Sequence, residues 1–225
     1  MARQPIVRVY PNARNFNLRF GSSAINKRPD EAGLIGKIVA KWSYIEAEMA
    51  VVLGMLLKTE SAAMLSVFQI LRRSSAQRDA ISQAAKTSLD DAQQELLGAL
   101  MNVHRAIEAD RNDLVHGVLG ECDEVKDGIL WLQATDQMLL RLRFHLEPGF
   151  AFDSEAQAML AEKTFLYRKA DLERIEQDIA ELWRIWYEVM QIAHYPTASA
   201  EQFRQLCDQP RIAQELARMR QKNTP

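Results

Sequence analysis

The chain has 225 residues, 48% of them hydrophobic, with 28 Lys plus Arg against 30 Asp plus Glu. That is apolar material for a buried core of domain size, at a net charge too low for a disordered chain. A formal charge of -2 excludes a protein that coats nucleic acid with basic surface along its whole length.

Residues 1 to 28 hold six basic side chains, Arg3, Arg8, Arg14, Arg19, Lys27 and Arg28, and no acidic one. Two readings stand for this segment, set off as residues 1–29: a solvated, loosely ordered terminus, or a basic arm that touches phosphate. From Pro29 and Asp30, Leu34, Ile38, Trp42, Ile45, Met49, Val52 and Leu56 recur at steps of four and three, which predicts a long amphipathic helix. Its most apolar run, Met49 to Leu57 with Gly54 inside it, is too short to span a bilayer.

A second helical segment is predicted from Ser61 through Met64, Phe68, Leu71 and Ile81 to about Leu89, bent near Ser74-Ser75, with Arg72, Arg73, Arg78 and Lys86 on its exposed side. A third starts at Asp90-Asp91 and runs through Leu96, Leu100, Val103, Ile107, Arg111, Leu114 and Val118. Gly117 and Gly120 then end the helical pattern. Asp127-Gly128 reads as the turn of a hairpin between Val118 to Val125 and Ile129 to Gln133. A further strand is predicted where Leu140, Leu142, Phe144 and Leu146 alternate with Arg141, Arg143 and His145. Ser154 with Gln157 suggests a capping-box start for a short helix. Leu172, Ile175, Ile179, Leu182, Trp186, Val189 and Ala193 form the seam of the last core helix, and a polar tail of one or two short helices follows Pro196. The expected division is thus arm 1–29, helical domain 30–195 with a β insertion at about 118–146, and peripheral tail 196–225.

The chemistry is sparse. There is no Gly-rich phosphate loop, no nucleophile elbow and no His-Glu-x-x-His. Cys122 and Cys207 lie far apart, outside any Cys/His cluster, so neither a disulfide framework nor structural zinc is expected, and neither is any other cofactor. The absence of an apolar leader points to a protein of the reducing cytoplasm with no membrane contact.

The segment Arg111-Asn112-Asp113-Leu114-Val115-His116-Gly117 stands out. It sets an arginine on an apolar stripe, where an unpartnered guanidinium is costly, and a histidine at the glycine-marked end of the same helix. At 100° per residue His116 lies about 140° around the helix from Arg111 and about 40° from Asn112. One helix cannot easily close both around one phosphate, but two copies near a two-fold axis can. In such a cleft a histidine moves the proton of a ribose 2′-hydroxyl or of the leaving 5′-oxygen, and an arginine stabilises the pentacoordinate phosphate. Structurally, the same two residues equally suit an ion pair and a helix C-terminal cap.

Arg-[Asn/Asp/His]-x-x-x-His followed by a small residue, at the end of a long helix in an all-helical bundle, resembles the motif of HEPN domains (higher eukaryotes and prokaryotes nucleotide-binding). Trp42-Ser43-Tyr44-Ile45-Glu46 on the first helix is similar to the aromatic-x-x-aliphatic-Glu pattern of several bacterial HEPN branches. The resemblance covers roughly residues 30 to 120 and 170 to 195. It implies a mainly α fold, a four- to five-helix up-and-down bundle with a small antiparallel hairpin or three-stranded insertion after the third long helix. It also implies a metal-independent endoribonuclease acting as a homodimer on RNA, of the kind found in toxin-antitoxin and phage-defence systems and neutralised by an antitoxin or other regulatory protein. Arg111 and His116 would be catalytic, Asn112 would orient His116, and Glu46 would hold Arg111 or His116 in place. Arg78, Arg141, Arg143 and His145 are candidates for the RNA backbone, or else solvated faces. Trp183 and Trp186 read as packing residues rather than a base-stacking platform. Two other readings remain: a non-catalytic HEPN-like module that binds RNA, nucleotides or a partner, and a structural helical dimer with Arg111 paired to Glu46 or Glu108.

Overall fold

The structure is a computed structural model that describes residues 3–59, 61–71, 73–147, 153–194 and 200–222. It is mainly helical, with a five-stranded antiparallel sheet. Contacts divide the chain differently from the arm, domain and tail expected: one unit joins residues 1–39 and 109–177, the other joins 40–108 and 178–225. The boundaries fall inside three long helices, α3 (Pro29–Leu57), α6 (Asp91–Val115) and α9 (Lys169–His194).

The first unit is built on the sheet. Its strands are β1 (Gln4–Pro5), β2 (Arg19–Phe20), β3 (Gly117–Glu121), β4 (Ile129–Gln133) and β5 (Phe165–Tyr167), in the order β1-β5-β4-β3-β2. The predicted hairpin is the β3–β4 pair, with Gly117 opposite Gln133 and Gly120 opposite Leu130. Gly128, before β4, has φ +145, a conformation that L side chains rarely adopt. Three strands escaped the sequence reading because each has only two or three residues, too short for a period to register. The N-terminal segment is no loose arm, since Ile6, Ala13, Phe16 and Leu18 join Leu130, Leu132 and Leu166 in one buried cluster. Helices α1 (Ile6–Val9) and α2 (Ser23–Lys27) lie within it.

The strand predicted over Leu140 to Leu146 is instead part of helix α7 (Ala134–Leu146). Leu139, Leu142 and Leu146 also stand at helical steps of three and four, so periodicity fits both states. Propensity decides, because the segment is rich in Leu, Met, Gln and Arg and has no β-branched residue after Thr135. Helix α8 (Ser154–Lys163) is capped by Asp153, whose Oδ1 accepts the amides of Glu155 and Ala156, rather than by Ser154. Gln157 receives the amide of Leu18 instead of closing a capping box.

In the second unit the predicted 61–89 helix is two helices, α4 (Ser61–Ile70) and α5 (Ser74–Ser88). Arg72, expected on its exposed side, lies outside the described residues, as does the tail boundary at Pro196. The N-terminus of α6 is a reciprocal capping box: Asp90 Oδ1 accepts the Gln93 amide at 2.8 Å and the Asp90 amide donates to Gln93 Oε1 at 3.1 Å. The tail forms α10 (Ala200–Cys207) and α11 (Pro210–Lys222). They dock within this unit through buried Leu206, Ile212 and Leu216, with Arg211 on Asp178 and Glu181 and Arg220 on Glu95. At the centre His104 is fully buried against Trp42 and Trp186, and the Trp186 indole donates to its Nδ1 at 3.2 Å. Burial pushes His104 down to about 4, so it is neutral. Trp186 is thus a packing residue, while Trp183 lies partly exposed beside Tyr44. No helix among the described residues is long and apolar enough to cross a membrane.

Candidate functional site

The motif occupies the last turn of α6. Leu114 is buried, and its carbonyl, one of those a helix C-terminus leaves without an intrahelical partner, accepts the Trp131 indole at 3.3 Å. Gly117 makes this approach possible, because a Cβ there would lie 1.8 Å from Trp131 Nε1. The residue after His116 is therefore glycine for steric reasons that fix the helix end against β4.

Arg111 is half-buried and its Nη1 donates to Asn112 Oδ1 at 2.9 Å. His116 follows the final turn. Its backbone amide donates to the Asn112 carbonyl at 3.1 Å, and its side chain is exposed, with no hydrogen-bond or ion-pair partner among the described residues. Asn112 thus meets both motif members, but with different atoms. Its side chain serves Arg111, and the expected orienting contact to the His116 imidazole is replaced by a backbone bond.

A neighbouring network was not legible in the sequence. Asp113 pairs with Arg3 Nη1 at 3.0 Å and accepts the Tyr167 hydroxyl at 3.4 Å. The Arg3 guanidinium lies over Trp131 and Phe165, 3.8 and 4.5 Å from the ring centroids. Burial and the Asp113 carboxylate push the Tyr167 hydroxyl well above its ordinary value, so it remains a donor. Only the position of Asp113 inside the motif hinted at a role. Its partners come from 110 residues upstream and 54 downstream.

The other candidates scatter. Arg78 is buried, paired with Glu108 and bonded to Ser74 Oγ at 2.8 Å, so it is not on an exposed face and is not placed to bind RNA. Glu46 belongs to the second unit, where its carboxylate accepts the Trp42 indole at 3.0 Å. Arg141, Arg143 and His145 sit on helix α7 rather than a strand face: Arg143 pairs with Glu147, while Arg141 and His145 line a groove beside Phe144. The N-terminal cations are largely neutralised inside the fold. Arg14 pairs with Glu162, Arg19 with Glu121 and Asp123, Lys27 with Glu121, and Arg28 donates to the carbonyls of Cys122, Val125 and Lys126. Arg19 and Lys27 hold the nearly buried Glu121 carboxylate down to about 2, with Arg19 the larger cause. Of the six charges that suggested a phosphate-touching arm, Arg3, Arg14, Arg19 and Lys27 are thus paired with acids from β3, α6, α8 and the β3–β4 loop. Among the described residues no group of three or more His, Cys, Asp or Glu is arranged to hold a metal ion.

Compared with known proteins, the chain matches no family model, no curated protein and no solved structure.

Proposed function

We propose that the chain is a HEPN-like endoribonuclease that cleaves RNA without metal at a site composed from two copies of the end of α6. The observation that carries this reading is the motif's local geometry: Asn112 holds the Arg111 guanidinium while the His116 imidazole, one turn on, is free for a substrate. In the proposed reaction the ribose 2′-oxygen bonds to phosphorus and the P–O5′ bond breaks. The His116 imidazole of one copy takes the 2′-hydroxyl proton, that of the other gives a proton to the leaving 5′-oxygen, and Arg111 stabilises the phosphorane charge. The product is a 2′,3′-cyclic phosphate. A toxin or antiphage effector held in check by an antitoxin is the biological role this activity fits.

A second reading, a non-catalytic module that docks a partner, is favoured by one observation. Helices α4 and α7 turn Leu65, Ile70, Met138, Leu142 and Leu146 to solvent, each about half exposed or more, as interaction surfaces do.

Total RNA incubated in EDTA with wild type, Arg111→Ala and His116→Ala separates the two. Cleavage to cyclic-phosphate ends by wild type alone supports the nuclease. No cleavage by wild type, or equal cleavage by all three, removes it.

A further inference from the structure

We infer that the groove between α7 and the sheet is a binding site for a nucleoside monophosphate unit, separate from the Arg111–His116 motif. The side chains of β4 alternate. Trp131 faces the end of α6, whereas Leu130 and Leu132 face the buried cluster on the other side of the sheet. The groove opens on that second side, with a volume of about 600 Å³, within the range of small-molecule sites. Leu18, Leu132 and Leu160, all buried, form its apolar floor, and the rings of Phe20 and Phe144 also line it. Gly120 makes room for the first ring, since a Cβ there would lie 2.5 Å from it.

The polar lining specifies the ligand. Arg141 and His145, four residues apart on α7, line the same wall, and Gln137 adds an amide. Arg141 has no ion-pair partner among the described residues, and His145 makes only an edge contact with the Phe144 ring at 5.4 Å. Among the described residues no carboxylate lines the groove, and Arg19, which also lines it, is paired with Glu121 and Asp123. Arg14, Arg19, Lys27, Arg143 and Lys163 of this unit are paired with acids, whereas Arg141 and His145 stand beside apolar walls with no ion-pair partner among the described residues. Two phenyl rings suit a flat heterocycle, the amide suits its edge, and the basic pair suits a phosphate. The shared chemistry fits a free nucleotide and a nucleotide within single-stranded RNA alike.

The test measures binding by the full-length protein to the four ribonucleoside 5′-monophosphates, to adenosine, and to a fluorescein-labelled 2′-O-methyl hexanucleotide that cannot be cleaved. Wild type is expected to bind at least one monophosphate. Arg141→Ala is expected to weaken binding about tenfold and Phe144→Ala at least about fivefold, and adenosine is expected to bind about tenfold less tightly than its monophosphate. Both side chains are exposed, so unchanged melting temperatures verify that the variants fold. A monophosphate preference marks a free-nucleotide site, and a hexanucleotide preference marks an RNA subsite. If no monophosphate and no hexanucleotide binds below millimolar concentration, or both variants bind as wild type, the inference fails, as it does if only acidic peptides compete for Arg141. The outcome is independent of cleavage: a protein that cleaves no RNA yet loses binding in the groove variants refutes the nuclease reading and keeps this one.

Discussion

Arg3 and Asp113 form an ion pair 3.0 Å long, joining the segment before the first strand to the last turn of α6. Both side chains are largely shielded, 13% and 25% exposed, and the guanidinium also covers Trp131 and Phe165. The pair ties the motif-bearing turn to the sheet. Arg3→Ala should lower stability by about 1–3 kcal/mol, because it leaves a half-buried carboxylate without its cation. A double-mutant cycle with Asp113→Asn should return a coupling of about 1 kcal/mol. Strictly additive urea midpoints would show that the two residues act independently.

Gly117→Ala places a methyl group inside the Trp131 ring. A loss of about 3 kcal/mol or more is expected, since either the indole or the strand must move and the Leu114 cap is broken. Trp131→Ala should make the glycine substitution nearly harmless. Thermal melts of the two single variants and the double variant check this sub-additivity.

Arg78→Ala should destabilise the fold by about 3–5 kcal/mol, because Glu108 is left charged and buried. Replacing both by Met should recover much of that loss. If either variant instead kept full stability and lost RNA affinity, Arg78 would be a surface ligand after all, contrary to its burial.

His104 gives the fold a pH dependence. Its imidazole is held neutral down to about 4, while in the unfolded chain it takes a proton near 6.5. Stability is therefore full above about 6.5, falls as the pH drops and the unfolded state gains a proton that the native state refuses, and levels off below about 4, a loss of roughly 3 kcal/mol. The difference between the urea-unfolding profiles of wild type and His104→Gln should isolate this slope from that of the carboxylates. Parallel profiles between pH 6.5 and 4 would remove it.

The long helices were legible because each carries its own period: Ile38, Trp42, Ile45 and Met49 repeat along α3 whatever they pack against. The Arg111–His116 spacing and its place at a glycine-marked helix end were readable for the same reason, since both are local. What the motif touches was not. Asp113 meets Arg3 and Tyr167 only because antiparallel pairing brings strands from three parts of the chain onto one sheet. The same pairing brings acids from β3, α6 and α8 to the N-terminal cations and turns an apparent arm into core.

Sequence by itself determined the helical character, the β3–β4 hairpin and the candidate motif, since short-range periodicity and turn chemistry are properties of neighbouring residues. Only the tertiary structure decided which charges remain for a ligand. Arg19 and Arg141 look alike in the chain, but Glu121 and Asp123 pair with the first and no carboxylate among the described residues pairs with the second, and ion pairing depends on distance in space rather than along the sequence.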